Sequence, residues 1–83
     1  MSMADYMAQN PIAQQAFFFI QQQGESNYFT ISVNQAINEF DQNGLTGAMF
    51  GDLMLNLQRE LPSGSLLWQA LGTLAELGNS IDI

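Results

Sequence analysis

The chain has 83 residues, and its acidic side chains greatly outnumber its basic ones. It contains eight Asp and Glu residues, a single basic residue (Arg59) and no His or Cys, so its formal net charge is -7. Without His or Cys it lacks an imidazole proton shuttle, a thiolate nucleophile and the nitrogen and sulfur ligands of structural zinc. Nucleic-acid binding normally depends on several basic contacts to phosphates, so direct nucleic-acid binding is not expected.

The composition predicts one domain, of residues 1–83. Apolar residues make up 47% of the chain and charged residues 11%, while 17 positions are Asn or Gln. The longest apolar run, residues 16–20, is far shorter than a membrane span. The first residues lack a basic and apolar secretory signal, so we expect a cytoplasmic protein that does not enter a membrane. We expect no cofactor.

The predicted fold is all-α, a small bundle of about four short helices. Asn10 followed by Pro11 marks the first of the four, because Asn caps free amides and Pro is tolerated at the first helical position. Ser2 is placed to cap a further short helix with Asp5 in its first turn. The helix after Asn10 ends before Gly24, and its predicted apolar face comprises Ile12, Ala13, Ala16, Phe19 and Ile20.

The next two helices are separated by a turn at Asn43-Gly44. Ser32, with Gln35 three residues later, resembles a capping box, so a short helix is predicted from that point. Its apolar positions are Val33, Ala36, Ile37 and Phe40. Thr46 is placed to cap the following helix, which extends to the break at residues 62–64. The apolar stripe of that helix comprises Phe50, Leu53, Met54, Leu57 and Leu61.

A final helix is predicted from Ser65 to Gly78, and residues 79–83 show no clear element. Its apolar face comprises Leu66, Leu67, Ala70, Leu71, Leu74 and Leu77. An alternative fold remains open for the N-terminal part of the chain. Aromatic and β-branched residues at 17–20 and 28–33 favour strands, so an α+β fold with a hairpin around residues 16–33 is the second interpretation.

Three apolar residues that this helical pattern leaves outside its stripes are candidate contacts for a partner. Phe18 lies among glutamines, Leu55 projects beside Gly51 on the polar side of its helix, and Trp68 sits at the edge of the last stripe. Aromatic residues are over-represented among interface anchors. Packing of these side chains into the core is the alternative interpretation.

Three acids, Glu39, Asp41 and Asp52, cluster around the predicted turn between the second and third helices and are the charged candidates for partner binding. Arg59 has no acid three or four residues away, so local helical pairing does not neutralise any of them. A calcium loop beginning at Asp41 is not expected, because Thr46 occupies the position where the sharp turn needs Gly. We predict no metal site and no catalytic residues.

This chain resembles two families in some features but lacks the motifs that define each of them. The size, acidity and helical pattern resemble those of acyl carrier proteins, but Gly51-Asp52-Leu53 lacks the Ser that carries the prosthetic group of that family. The segment Pro62-Ser63-Gly64-Ser65 resembles a turn of the colicin immunity proteins. The paired tyrosines of that family's binding helix are absent, since Leu66-Leu67-Trp68 follows. We therefore assign no family from the sequence.

The sequence predicts a non-catalytic protein-binding module, an acidic inhibitor or adaptor that docks on a basic surface of a partner protein. One-sided charge favours this interpretation, because long-range attraction accelerates the encounter with a basic partner. The alternative is a structural or assembly protein that forms homo-oligomers through Phe18, Leu55 and Trp68. An enzyme that works with carboxylates alone is not expected, because helical spacing fixes no two acids close together.

Overall fold

The computed structural model describes residues 1–81, and within them the chain forms five α-helices and no strand. The all-α prediction is confirmed. The alternative hairpin around residues 16–33 is wrong, because these residues belong to the second and third helices and the loop between them. The helices are α1 (Met3–Ala8), α2 (Pro11–Gln21), α3 (Tyr28–Asn43), α4 (Gly47–Gln58) and α5 (Leu66–Ile81).

Three predicted N-terminal caps are present. Ser2 and Asp5 form a capping box at the start of α1. The side chain of Asn10 accepts a hydrogen bond from the Ala13 amide at 3.1 Å, and Thr46 accepts one from the Met49 amide at 3.1 Å. Each of these bonds satisfies an amide that has no partner within its own helix.

The predicted start of α3 at Ser32 is wrong, because Asn27 caps the helix earlier. The Asn27 side chain accepts hydrogen bonds from the amides of Phe29 and Thr30 at 2.9 and 3.3 Å. Ser32 lies inside the helix, and its hydroxyl donates to the carbonyl of Tyr28 at 2.8 Å. The helix ends at the predicted turn, where Gly44 has a φ of 73° that favours glycine.

The predicted end of α5 at Gly78 is also wrong, because this glycine is buried against α4 and the helix continues to Ile81. A Cβ atom at Gly78 would lie 2.6 Å from the carbonyl oxygen of Gly47 and 3.0 Å from the amide nitrogen of Gly51. The glycine is therefore needed where two backbones approach closely. Of the predicted irregular tail, residues 82–83 lie outside the described residues.

All five helices contribute to one core. The buried hydroxyl of Thr30 donates to the carbonyl of Ile20 at 2.7 Å and joins α3 to α2. The buried apolar residues are Met3, Met7, Ala13, Ala16, Ile20, Val33, Ala36, Phe50, Met54, Leu57, Ala70, Leu71, Leu74, Ala75 and Leu77.

Several residues of the predicted apolar faces lie at the surface instead. Ile12 and Leu66 are 69% and 68% exposed, and Leu53 of α4 is 39% exposed. On α4 the buried face is rotated relative to the predicted one and includes the glycines. Gly51 is buried, and Leu55 packs against the core. Close approach of α5 requires small residues at the contact, so the glycine side of α4 is its packing side.

Candidate functional site

A groove of about 880 Å³ lies between α3 and α4, and we call it the α3–α4 groove. Tyr28, Ile31 and Glu39 line it from α3, Leu53 and Leu57 line it from α4, and Glu60 lines it from the segment after α4.

The two helices run antiparallel along this groove. The hydroxyl of Tyr28, at the start of α3, donates to a carboxylate oxygen of Glu60, just beyond the end of α4, at 3.3 Å. Glu39 lies further along α3, about 16 Å from Tyr28 at about 1.5 Å per residue. The groove therefore has one end at Tyr28 and Glu60 and another near the turn between α3 and α4.

The exposed surface of the groove is more apolar than polar, although the polar side chains of Ser32, Asn34, Gln35, Asn38 and Asn56 also line it. Tyr28, Ile31 and Leu53 are 56%, 40% and 39% exposed. Beneath them lie the buried side chains of Ala36 and Leu57, which also belong to the core. The exposed apolar side chains and the core therefore form one continuous surface, which is a usual composition for a protein-binding groove.

A smaller depression of about 230 Å³ adjoins the groove and shares Leu53 with it. Its other lining residues are Leu45, Met49 and Asp52, and Met49 is 52% exposed. Leu53 thus stands between two hollows, one lined by Glu39 and the other by Asp52. Both carboxylates are exposed.

The charges at the two ends of the α3–α4 groove differ. Near the turn, Glu39 accepts a hydrogen bond from the Asn43 amide group at 3.0 Å, and α3 has no basic residue in its last turn. Because α3 and α4 are antiparallel, the partial negative charge at the end of α3 lies beside the partial positive charge at the start of α4, so the charged side chains decide which end is more negative. At the other end, Arg59 precedes Glu60 and donates to the side-chain oxygen of Asn56, another groove residue, at 2.8 Å. The end near the turn is therefore the more negative.

The structure brings together two of the six predicted partner-binding residues, Glu39 and Asp52, on either side of Leu53. Asp41 is exposed but accepts a hydrogen bond from the Met3 amide at 2.8 Å, so it also caps α1. Its role in partner binding stays a prediction.

The three apolar candidates do not line the groove. Phe18 is 52% exposed on α2, with its ring centre 5.9 Å from that of Phe17. Leu55 is half-buried against the core, which corrects its predicted position on the polar side of the helix. Trp68 is half-buried, and its carbonyl accepts a hydrogen bond from Gln58 at 3.0 Å. Their partner contacts stay predictions.

Sequence reasoning missed four residues that line the groove, Tyr28, Ile31, Leu53 and Glu60. One signal could have found two of them. A helix that begins after Asn27 places Tyr28 and Ile31 on the face that later carries Glu39, because these positions recur at helical spacing. Leu53 was assigned to the core stripe of α4, and a sequence pattern alone does not show how far that stripe is rotated.

Comparisons with models of protein families, with curated proteins and with solved structures returned no match. Among residues 1–81, no helix has both the length and the apolar character that crossing a membrane requires.

Proposed function

We propose that this chain is a non-catalytic binding module, an acidic inhibitor or adaptor that docks on a basic surface of a partner protein. The observation that carries the proposal is the position of Leu53, an exposed apolar side chain between hollows lined by Glu39 and Asp52. An apolar contact flanked by acids suits a surface on which basic residues surround an apolar patch.

Charge and apolar contact have different effects in such a complex. The net charge of -7 attracts a basic partner over a distance and raises the association rate. Burial of Leu53 and its apolar neighbours slows dissociation, because these side chains must return to water when the partner leaves. The charge therefore accelerates the encounter, while the apolar residues determine how long the complex lasts.

The experiment is affinity capture at low salt from an extract of the host cells, with elution by rising salt. An unrelated acidic protein of equal net charge serves as the control bait, because any acidic surface retains some basic proteins. We expect a basic protein that this chain retains and the control does not. We also expect its affinity to fall as salt rises from about 0.01 M to about 0.15 M, where the Debye length shrinks from about 30 to about 8 Å.

Two results would contradict the proposal. One is an affinity for the captured protein that does not change with salt. The other is capture of the same set of basic proteins by both baits, which would mean that the chain acts as an ion exchanger without a specific partner.

A further inference from the structure

We infer that the α3–α4 groove takes an amphipathic α-helix of the partner whose Lys and Arg residues are concentrated at one end. Its apolar face lies over Ile31, Leu53 and Leu57, and its basic end lies near Glu39 and Asp52. This inference rests on the proposed function, because it specifies which segment of a basic partner makes the contact.

The dimensions and walls of the groove favour a helix. Its length along α3, about 16 Å from Tyr28 to Glu39, equals about three helical turns at about 5.4 Å each. Both walls are helices, and the exposed side chains of Ile31 and Leu53 form ridges on them. Such ridges can pack into the grooves on the surface of a third helix. The described residues include no strand, so they offer no sheet edge to which an extended peptide could add.

The charges determine the orientation of the occupant. Glu39 and Asp52 flank Leu53 near the turn, and the last turn of α3 contains no basic residue. Glu60 at the other end follows Arg59 in the sequence and accepts a hydrogen bond from Tyr28. Basic residues of the occupant are therefore attracted more strongly to the end of the groove near the turn.

The same charges argue against a second copy of this chain as the occupant. Each copy carries a net charge of -7 and contributes a single arginine, so two copies repel each other across the groove. A basic segment of another protein does not meet this repulsion. Charge complementarity and the apolar walls thus point to the same occupant.

The first test uses a synthetic peptide of about four helical turns, with Leu on one face and three Arg residues at one end. Calorimetric titration compares the native protein with the double variant E39Q/D52N. The control is E25Q/E76Q, which removes the same amount of charge at two exposed positions outside the groove. We expect about a tenfold loss of affinity for E39Q/D52N and less than about threefold for the control. Equal losses of affinity for the two double variants would show that the basic end of the peptide does not lie near Glu39 and Asp52.

The second test concerns the apolar contact. Leu53→Ser removes an exposed apolar side chain from the groove, and Ile12→Ser removes a more exposed one from α2. We expect a loss of about tenfold or more for Leu53→Ser and no change for Ile12→Ser. Circular dichroism verifies that each variant is folded, and Ile31→Ser replaces Leu53→Ser if the latter unfolds. Unchanged binding by folded groove variants would overturn the inference.

The third test concerns the helical form of the occupant. The helical circular-dichroism signal of the peptide should rise on binding, and a peptide of the same composition with two central prolines should bind at least tenfold more weakly. Equal affinity of the proline peptide would exclude a helical occupant.

Failure of this inference can be distinguished from failure of the proposed function. If the captured partner binds E39Q/D52N and Leu53→Ser more weakly than the native protein, while the proline peptide binds as tightly as the helical one, the helical occupant is wrong and the proposed function stands. If capture yields no specific basic partner, the proposed function fails whatever the peptide does.

Discussion

Asp5 shows how an exposed acid can stabilise a helix that is too short to form alone. Its carboxylate accepts hydrogen bonds from the amide and the hydroxyl of Ser2 at 2.9 and 3.0 Å. The backbone bond is the main cause that lowers the pKa of Asp5 below its ordinary value of 3.8, and the hydroxyl bond is the second. Because α1 has only six residues, such terminal bonds decide whether it is populated.

This shift predicts a pH dependence of stability. The pKa of Asp5 is lower in the folded state, so its contribution is present above pH 3.8 and is lost as the pH falls through the lower folded value. Urea unfolding of the native protein and Asp5→Asn over a pH series should show a difference at neutral pH that disappears in acid. A difference that persists at the acid end would contradict this account.

Asp41 provides a further bond that holds α1, because its carboxylate accepts a hydrogen bond from the amide of Met3. We expect Asp41→Ala to lower the free energy of unfolding by about 1 kcal/mol, which is typical for the loss of a capping side chain. Urea denaturation measures this change. Glu76→Ala is the control, since Glu76 is exposed on α5, and it should change stability by less than about 0.5 kcal/mol. Equal effects would show that the bond to Met3 contributes nothing.

Local sequence patterns predict hydrogen bonds between residues that are close in the chain, but they do not predict bonds between distant residues. The caps at Ser2, Asn10 and Thr46 lie beside the amides that they satisfy, so local patterns identify them. Asn27 was missed because Ser32 and Gln35 matched an equally good capping pattern. The bond from Met3 to Asp41 joins positions far apart in the chain, and no local pattern encodes it.

The contact between α4 and α5 brings two helix backbones close together. It depends on Gly51 and Gly78, because a Cβ added at Gly51 would lie 3.0 Å from the carbonyl oxygen of Ala75, and one added at Gly78 would press against the backbone of α4. This contact orients α4 and thereby determines which of its side chains remain outside. Leu53 is exposed in the groove because the glycine side of the helix faces α5.

A pair of substitutions in α5 tests this contact. Gly78→Ala should destabilise the protein by about 1–2 kcal/mol, because a clash with backbone outweighs the gain in helix propensity. Gly72→Ala is the matched control, since its Cβ would meet the end of the flexible Gln58 side chain at 2.8 Å. We expect it to change stability by less than about 1 kcal/mol in thermal or urea unfolding. If the two substitutions cost the same, the close contact is not what holds the helices together.

The sequence pattern predicted the fold class correctly, but it predicted the wrong buried face for α4. The apolar spacing of α5 placed Ala70, Leu71, Leu74 and Leu77 correctly in the core. On α4 the same reasoning put Leu53 inside and Leu55 outside, because apolar periodicity assigns no packing role to glycine. The groove could not be derived from the sequence for this reason.

The charge of the whole molecule opposes association between its own copies. At low salt, molecules with a net charge of -7 repel one another, whereas exposed apolar residues such as Ile12 and Leu66 favour contact. We expect sedimentation at several protein concentrations and low salt to show a monomer. A stable dimer under these conditions would instead support the alternative of a self-assembling protein.

Mapping the binding surface in solution tests most directly whether the α3–α4 groove is the binding site. Amide chemical shifts of the isotope-labelled protein are followed by NMR while the basic amphipathic peptide is added. We expect the largest changes at groove residues of α3 and α4, near Ile31, Glu39 and Leu53. Changes centred on Ile12 of α2 or Leu66 of α5, with the groove unaffected, would contradict it.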